Sequence, residues 1–185
     1  MAPPRVAWTR RGLLGLTGGL LTGGLLSGCG FRPMYMPTAS GGAGVAQREL
    51  AAVTVGIIPD RPGQLLRQAL QERFERTDGA VQRRYDLTVA YEIEGEGIAI
   101  LHDNTTTRIR LIGRAQWSLR AQDATRAVLT SGTARSLDAV NVLKEQYFAA
   151  DLGNEAAQKR IADAVADQIT LQLAAFFNRR AAGTV

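Results

Sequence analysis

Thr105 to Arg120, TTTRIRLIGRAQWSLR, is the stretch whose reading decides the fold. Ile109, Leu111, Ala115, Trp117 and Leu119 fall on one parity, and Arg108, Arg110, Arg114, Gln116, Ser118 and Arg120 fall on the other. Side chains alternate between the two faces of a strand, so this is a long strand with one apolar and one polar face. A sheet packed on one side and wet on the other is characteristically antiparallel, whereas a parallel sheet buried on both sides reads as continuous hydrophobic residues.

The neighbouring segments repeat the pattern. Upstream, Tyr85, Leu87, Val89, Tyr91 and Ile93 alternate with Asp86, Thr88, Glu92 and Glu94, a second strand over Tyr85–Glu94. Gly95 and Gly97 predict a bend or bulge before the strand resumes over Ile98–Leu101, and His102-Asp103-Asn104 reads as a turn. Downstream, Gln122-Asp123-Ala124-Thr125 is a turn signal and Arg126–Ser136 a third strand. Together the three predict an antiparallel meander.

On the amino-terminal side, the β-branched run Ala51–Ile58 predicts a strand, ended by Pro59-Asp60-Arg61-Pro62-Gly63. Gln64–Arg76 predicts a helix with Leu66, Leu70 and Phe74 at four-residue spacing and Leu65 and Ala69 beside them, closed by Asp78-Gly79. On the carboxyl side, Asp138–Leu152 is irregular, helical or loop. Asn154 can cap a last helix whose stripe is Ile161, Val165, Ile169, Leu173 and Phe176 or Phe177, with Arg179 and Arg180 favourably placed at its end. The order β-α-β-β-β-α predicts an α+β two-layer sandwich, with two helices packed on one mostly antiparallel sheet in a single domain over residues 49–185.

The segment before this body has a different character. Arg5, Arg10 and Arg11 precede an uncharged run of leucine, glycine and threonine, Leu13–Leu26, of signal-peptide rather than membrane-spanning length. Leu26-Ser27-Gly28-Cys29 follows, holding the only cysteine of the chain. This tetrapeptide resembles the bacterial lipobox. That likeness implies a signal peptide over residues 1–28, cleaved before Cys29, with diacylglycerol on the Cys29 thiol and acylation of the new amino terminus. Two or more buried acyl chains, each worth about 0.8 kcal/mol per methylene, would anchor the chain stably. Arg10-Arg11 also resembles a twin-arginine export signal. Gly30, where an aspartate would favour the inner membrane, leans the expected location toward the outer one. Residues 29–48 read as a lipidated terminus and flexible tether, because Pro37–Gly44 is proline, threonine, alanine, serine and glycine.

Charge narrows the function. Three of the 22 cations and none of the 17 acids lie in residues 1–28, so the remaining 157 of 185 residues carry 19 against 17, a balance of only +2. That argues against nucleic acid as a partner. One cysteine and one histidine cannot make a structural zinc site, and no metal or other cofactor is expected. There is no nucleophile elbow and no phosphate-cradling loop, His102 reads as a solvated turn residue, and Glu92, Glu94 and Glu96 as a wet strand face, so no enzyme is expected. The most chemical feature is the arginine face. Alternate strand residues stand about 6.6–6.8 Å apart, so Arg108 and Arg110, with Arg114 and Arg120 further along, are candidate contacts for anionic groups such as phosphates. The alternative is a solvated face paired with Asp86, Glu92 and Glu94 of the adjacent strand.

Cys29-Gly30-Phe31-Arg32-Pro33-Met34-Tyr35 resembles the start of the mature LptE family of lipopolysaccharide-assembly lipoproteins in its alphaproteobacterial form, in which CGFRPLY is typical and Met34 here replaces leucine. VTVGIIPDRPGQLLRQAL (53–70), YDLTVAYEI (85–93), TRIRLIGRAQWSL (107–119) and YFAADLGNEAAQKRIADAVADQITLQLAAFF (147–177) are similar to later blocks of that family. The resemblance implies an outer-membrane lipoprotein that plugs the LptD β-barrel, assists its assembly and binds lipopolysaccharide through basic residues. The four arginines come from strand geometry and not from a family motif. The competing expectation is a free-standing, periplasm-facing lipoprotein that binds another anionic envelope component.

Overall fold

The antiparallel meander is present and runs further than its sequence signal. Strand β2, Tyr85–Ile100, pairs antiparallel with β3, Thr106–Ala121, and β3 pairs antiparallel with β4, Val128–Asn141. These come from a computed structural model, which describes residues 43–75, 81–100, 102, 105–142 and 147–183. The readings placed on residues 1–42 (signal, Cys29, Phe31, Tyr35 and most of the tether) and on Asp78-Gly79, Asp103 and Asn104 lie outside the described residues.

The β3–β4 hairpin is set by Asp123. Its carboxylate accepts the backbone N–H groups of Thr125 and Arg126, both at 3.0 Å, and the Thr125 hydroxyl at 2.6 Å. The Thr125 hydroxyl first, with the backbone donors adding to it, holds the Asp123 carboxyl below the usual range against the opposing desolvation. Arg126 takes the left-handed φ of 45° that brings the chain round. The glycine-marked irregularity in β2 is real: the register shifts between Gly97 and Ala99 and again before Ile100.

A short parallel strand, β1, Val53–Val55, adds to the other side of β2 and completes the order β1-β2-β3-β4. Only these three residues of the expected Ala51–Ile58 strand are extended against β2, because Ala51 ends a helix, and beyond Val55 only the Gly56 N–H still bonds β2, at the Leu87 carbonyl. That helix, α1, Val45–Ala51, is a third one beyond the two expected, and it begins inside the span read as tether. Ala46, Leu50 and Ala51 make its buried side.

Helix α2 covers Asp60–Phe74 rather than Gln64–Arg76. The Pro-Asp-Arg-Pro-Gly run that ends the extended chain also supplies the first helical turn, where the N–H that Pro62 lacks has no intrahelical acceptor to miss. Helix α3 runs Tyr147–Ala181, 35 residues, so Asn154 lies inside it rather than at its cap. Burial on α3 begins at Ala157. The apolar stripe therefore reports where the helix is covered, not where it starts; Phe148 and Leu152 on the first turns are exposed.

All three helices pack on one face of the sheet, as an α+β two-layer sandwich requires. The core joins Leu66, Leu70 and Phe74 of α2, Leu87 and Val89 of β2, Leu111, Ala115, Trp117 and Leu119 of β3, and Ile161, Val165, Ile169, Leu173 and Phe177 of α3. Two glycines let α3 reach the strands. A Cβ on Gly113 would collide with Ile161 Cγ2, and one on Gly132 would come within 2.7 Å of Trp117 Cζ2. Glutamines of α3 then answer backbone groups of the edge strand β4. Gln168 bonds both the N–H and the carbonyl of Arg135, at 3.1 and 2.9 Å, and Gln172 bonds the Thr133 carbonyl at 3.0 Å while accepting Trp117 Nε1–H at 3.2 Å.

Candidate functional site

The face of the sheet away from the helices carries the arginines. Arg108, Arg110, Arg114 and Arg120 all lie on the parity of β3 opposite Leu111, Ala115, Trp117 and Leu119. Register places acids of β2 beside them: Asp86 faces Arg120, Glu92 faces Arg114 and Glu96 faces Arg110. Arg110 pairs with the acid directly across from it, and Arg114 pairs on a diagonal. Arg114 Nη1 donates to Glu94, and Arg110 Nη1 lies 3.4 Å from a Glu96 oxygen. The hydrogen bond to Glu94, followed by its charge, raises the Arg114 guanidinium further above its ordinary value. Asp86 instead accepts from Gln122 at 2.7 Å.

The pairing divides the four arginines. Arg110 and Arg114 are held by acids, and Arg108 and Arg120 make no ion pair among the described residues. With a rise of about 3.4 Å per residue, Arg108 and Arg120 stand on the order of 40 Å apart along β3. They cannot meet one phosphate or sugar headgroup, so the candidates form a stripe with two ends. Arg108 and Arg110 stay together at the end beyond which the helices cover little; there Ile98 and Ile100 of β2 are exposed.

Arg135 belongs to the same face. It sits directly across from Arg114 in the β3–β4 register, is exposed, and its guanidinium has no acidic partner among the described residues. Like charges directly opposite on paired strands repel and are eased by an anion between them. Counting outward equally from the Gln122–Thr125 turn would set Thr133 opposite Arg114; the longer loop and the register shift between Leu119 and Arg120 bring Arg135 there instead. Ile112, also on this face, is only 8 % exposed and stands outside the main core cluster. Its same-face neighbours on β3 are Arg110 and Arg114, whose aliphatic stems can cover it, and Leu137 lies across in register. The arginines thus sit on a partly apolar floor, a surface suited to an amphiphile that carries anionic groups.

His102 lies exposed in its turn, and no cluster of three or more metal-ligating side chains occurs among the described residues. No helix among them is long and apolar enough to cross a membrane.

A family model described as LptE, lipopolysaccharide-assembly, matches residues 50–173, from the end of α1 to the last turns of α3. The chain belongs to the LptE family. Solved structures share the fold. The "putative lipoprotein" of Caulobacter crescentus CB15 is 20% identical with a TM-score of 0.59, over 72% of this chain and 96% of that one. The rare lipoprotein B of Shewanella oneidensis is 11% identical with a TM-score of 0.51, over 70% of this chain and 98% of that one. At such identities these two speak for fold alone. No curated protein sequence matches the chain. Membership in the LptE family makes this a lipoprotein of lipopolysaccharide assembly in the Gram-negative envelope, a role of non-enzymatic kind.

Proposed function

We propose that the chain is an outer-membrane lipoprotein, anchored through acylated Cys29, that plugs an LptD-like β-barrel, assists its assembly and binds lipopolysaccharide as it passes to the outer leaflet. The observation that carries this reading is the two-faced sheet. One face is closed by three helices, and the other is an open, charged surface with arginines on a partly apolar floor. The lumen of a large outer-membrane barrel is polar, so a plug needs a folded body whose outside is polar while its own core holds it together. Lipid A combines phosphates with acyl chains, which is the ligand chemistry such a face accommodates. Arg108 with Arg110 is the pair best placed for neighbouring phosphates, with Arg114 and Arg135 second and Arg120 alone at the far end. Cleavage before Cys29 removes residues 1–28, and the tether before α1 lets the folded body stand away from the lipid.

The test is recovery of the complex. With a tag after Val185 and membranes solubilised in mild detergent, a stoichiometric outer-membrane β-barrel carrying lipopolysaccharide is expected to co-purify. Recovery of the chain alone, from membranes shown to contain that barrel, would favour a free-standing periplasm-facing lipoprotein that binds another anionic envelope component.

A further inference from the structure

The free edge of the sheet at β1 holds a second basic feature, remote from the arginine stripe. A cleft of about 180 Å³ opens between Val53, Thr54 and Val55 of β1 and Arg67, Gln71, Phe74 and Glu75 along α2, with Arg83 also on its wall. β1 bonds β2 through alternate residues. The Ala52 carbonyl accepts from Arg84 and Tyr85, at 2.9 and 3.2 Å, and the Gly56 N–H donates to Leu87 at 2.9 Å. The intervening Val53 and Val55 therefore turn their backbone groups to the free edge. Arg83 already answers the acceptors there: its Nη1 bonds the carbonyls of Ala51 and Val53, both at 2.9 Å, and its Nη2 lies 3.5 Å from Glu75.

What remains unanswered in the cleft is mainly donors. Arg67 is half-buried, its Nε is closed off from solvent without a hydrogen-bond partner, and its guanidinium forms no ion pair among the described residues. The acids near it are Glu75, matched by Arg83, and Asp60, which shares an adjoining groove with Arg67 and Gln71 but does not pair with Arg67. Gln71 stands one turn along from Arg67 on the same side of α2, and its amide has no partner among the described residues. A buried donor with no acceptor is costly and rare in a folded protein. The Arg67 Nε is enclosed, so the donors that an oxyanion in the cleft can meet are the outer Nη groups of this guanidinium, which lies beside a sheet edge with no acid paired to it among the described residues.

We propose that this cleft binds a phosphate group, held by the guanidinium of Arg67, the amide of Gln71 and the edge N–H of Val55, the Val53 N–H being covered by Arg83. A carboxylate is planar and is satisfied by one guanidinium fork. A phosphate directs three or four oxygens apart and so can accept from the helix wall and the strand wall at once, and guanidinium and free backbone N–H groups are its usual donors. The site is independent of Arg108 and Arg110, so it stands or falls apart from the role of the sheet face. The phosphate is either free in solution or the headgroup of a lipid.

Full-length chain in detergent micelles decides it. One arm titrates inorganic phosphate and the other short-chain phosphatidic acid, with phosphatidylcholine as blank, following the arginine Nε–H resonances. The Arg67 Nε–H signal is expected to shift in at least one arm. Arg67→Gln is expected to weaken binding in that arm about tenfold or more, the loss of a charge-assisted hydrogen bond. Arg67→Lys, which keeps the charge without the fork, should fall between, and it serves as the variant if Arg67→Gln does not fold by circular dichroism. Lys159→Gln, on the outside of α3, should bind as the parent does. A response to inorganic phosphate assigns a free-phosphate site, and a response to phosphatidic acid alone assigns a headgroup site. A silent Arg67 signal in both arms, or unchanged affinity in the Arg67 variants, would overturn the proposal.

Discussion

Along β3, Leu111, Ala115, Trp117 and Leu119 are buried against the helices, while Arg108, Gln116 and Arg120 on the same strand are exposed. The inner set joins a core that includes Leu173 and Phe177 of α3, each at most 2 % exposed. The outer set touches water, acids of β2 and, on the reading proposed above, ligand. Apolar burial contributes about 25 cal/mol per Å², and exposed ion pairs contribute little after desolvation and ordering, so stability resides almost wholly on the inner face. The outer face is thereby released from the work of folding. A strand of this kind can present charge over its whole length at small cost to stability, the repulsion between Arg114 and Arg135 included, which is what a binding surface on a small body needs.

The sharpest way to break that comparison uses adjacent residues. Leu119→Ala, at a fully buried site, should lower unfolding free energy by about 3 kcal/mol, and Arg120→Ala beside it should change it by less than about 0.5 kcal/mol, read by urea denaturation. Comparable losses at both positions would mean that the outer face also holds the fold. Gly113→Ala tests the inner face from the opposite direction, by adding an atom. Ile161 of α3 occupies the space the new Cβ would need, and overpacking of this kind costs about 1–3 kcal/mol. An unaffected melting curve would show that α3 can lift off β3 freely.

Tyr91 sharpens the comparison through pH. It lies on the inner parity of β2, and its hydroxyl is shut off from solvent with no partner. Burial pushes the phenol up from 10.0 to about 12. The unfolded phenol ionises first, so this contribution is complete below about pH 10 and is lost as pH rises toward about 12, by about 1 kcal/mol once screening of the partly exposed ring is allowed for. Tyr91→Phe should flatten that decline and, by removing an unsatisfied hydroxyl, leave neutral-pH stability equal or slightly higher. A parent and variant that lose stability in parallel between pH 10 and 12 would show that the hydroxyl is wetter than its position implies.

How much of this was legible in the chain follows the same division between faces. The meander could be read because β2 and β3 are each packed on one side only, so polar and apolar residues alternate. Tyr85, Leu87 and Val89 announce themselves against Asp86 and Thr88. The weak readings are those where burial and secondary structure part company. Helix α1 carries a single turn and a half of buried side chain, from Ala46 to Ala51, too short for a periodic signal. No residue of α3 from Phe148 to Ala156 is fully buried, so no stripe marks that stretch, and Gly153-Asn154 mimics a helix start in the middle of one. For the candidate site, parity alone grouped Arg108, Arg110, Arg114 and Arg120. It could not say which of them acids would hold, because that depends on register: Glu94 reaches Arg114 and Glu96 reaches Arg110. Arg135 was missed for the same reason, and Arg67 because its significance comes from a cleft between elements far apart in sequence.

The smallest expected effect on stability is the most informative for function. Arg108→Ala together with Arg110→Ala removes one cation with no ion pair among the described residues and one that faces Glu96 at 3.4 Å with both side chains well exposed. Stability should therefore change by less than about 0.5 kcal/mol. Lipopolysaccharide binding should nevertheless fall about tenfold or more, because contacts between guanidinium and phosphate are charge-assisted and are lost in pairs. Arg114→Ala with Arg135→Ala should have a lesser effect, since Glu94 already occupies one of those guanidiniums. Equilibrium binding of the purified chain to lipopolysaccharide, measured alongside urea denaturation of each variant, separates the two quantities. If the Arg108 and Arg110 double variant binds as the parent does, the open face is a solvated surface and the ligand lies elsewhere on the body. If binding and stability fall together, the two faces of β3 are not independent, and the division argued from their burial fails at its outer side.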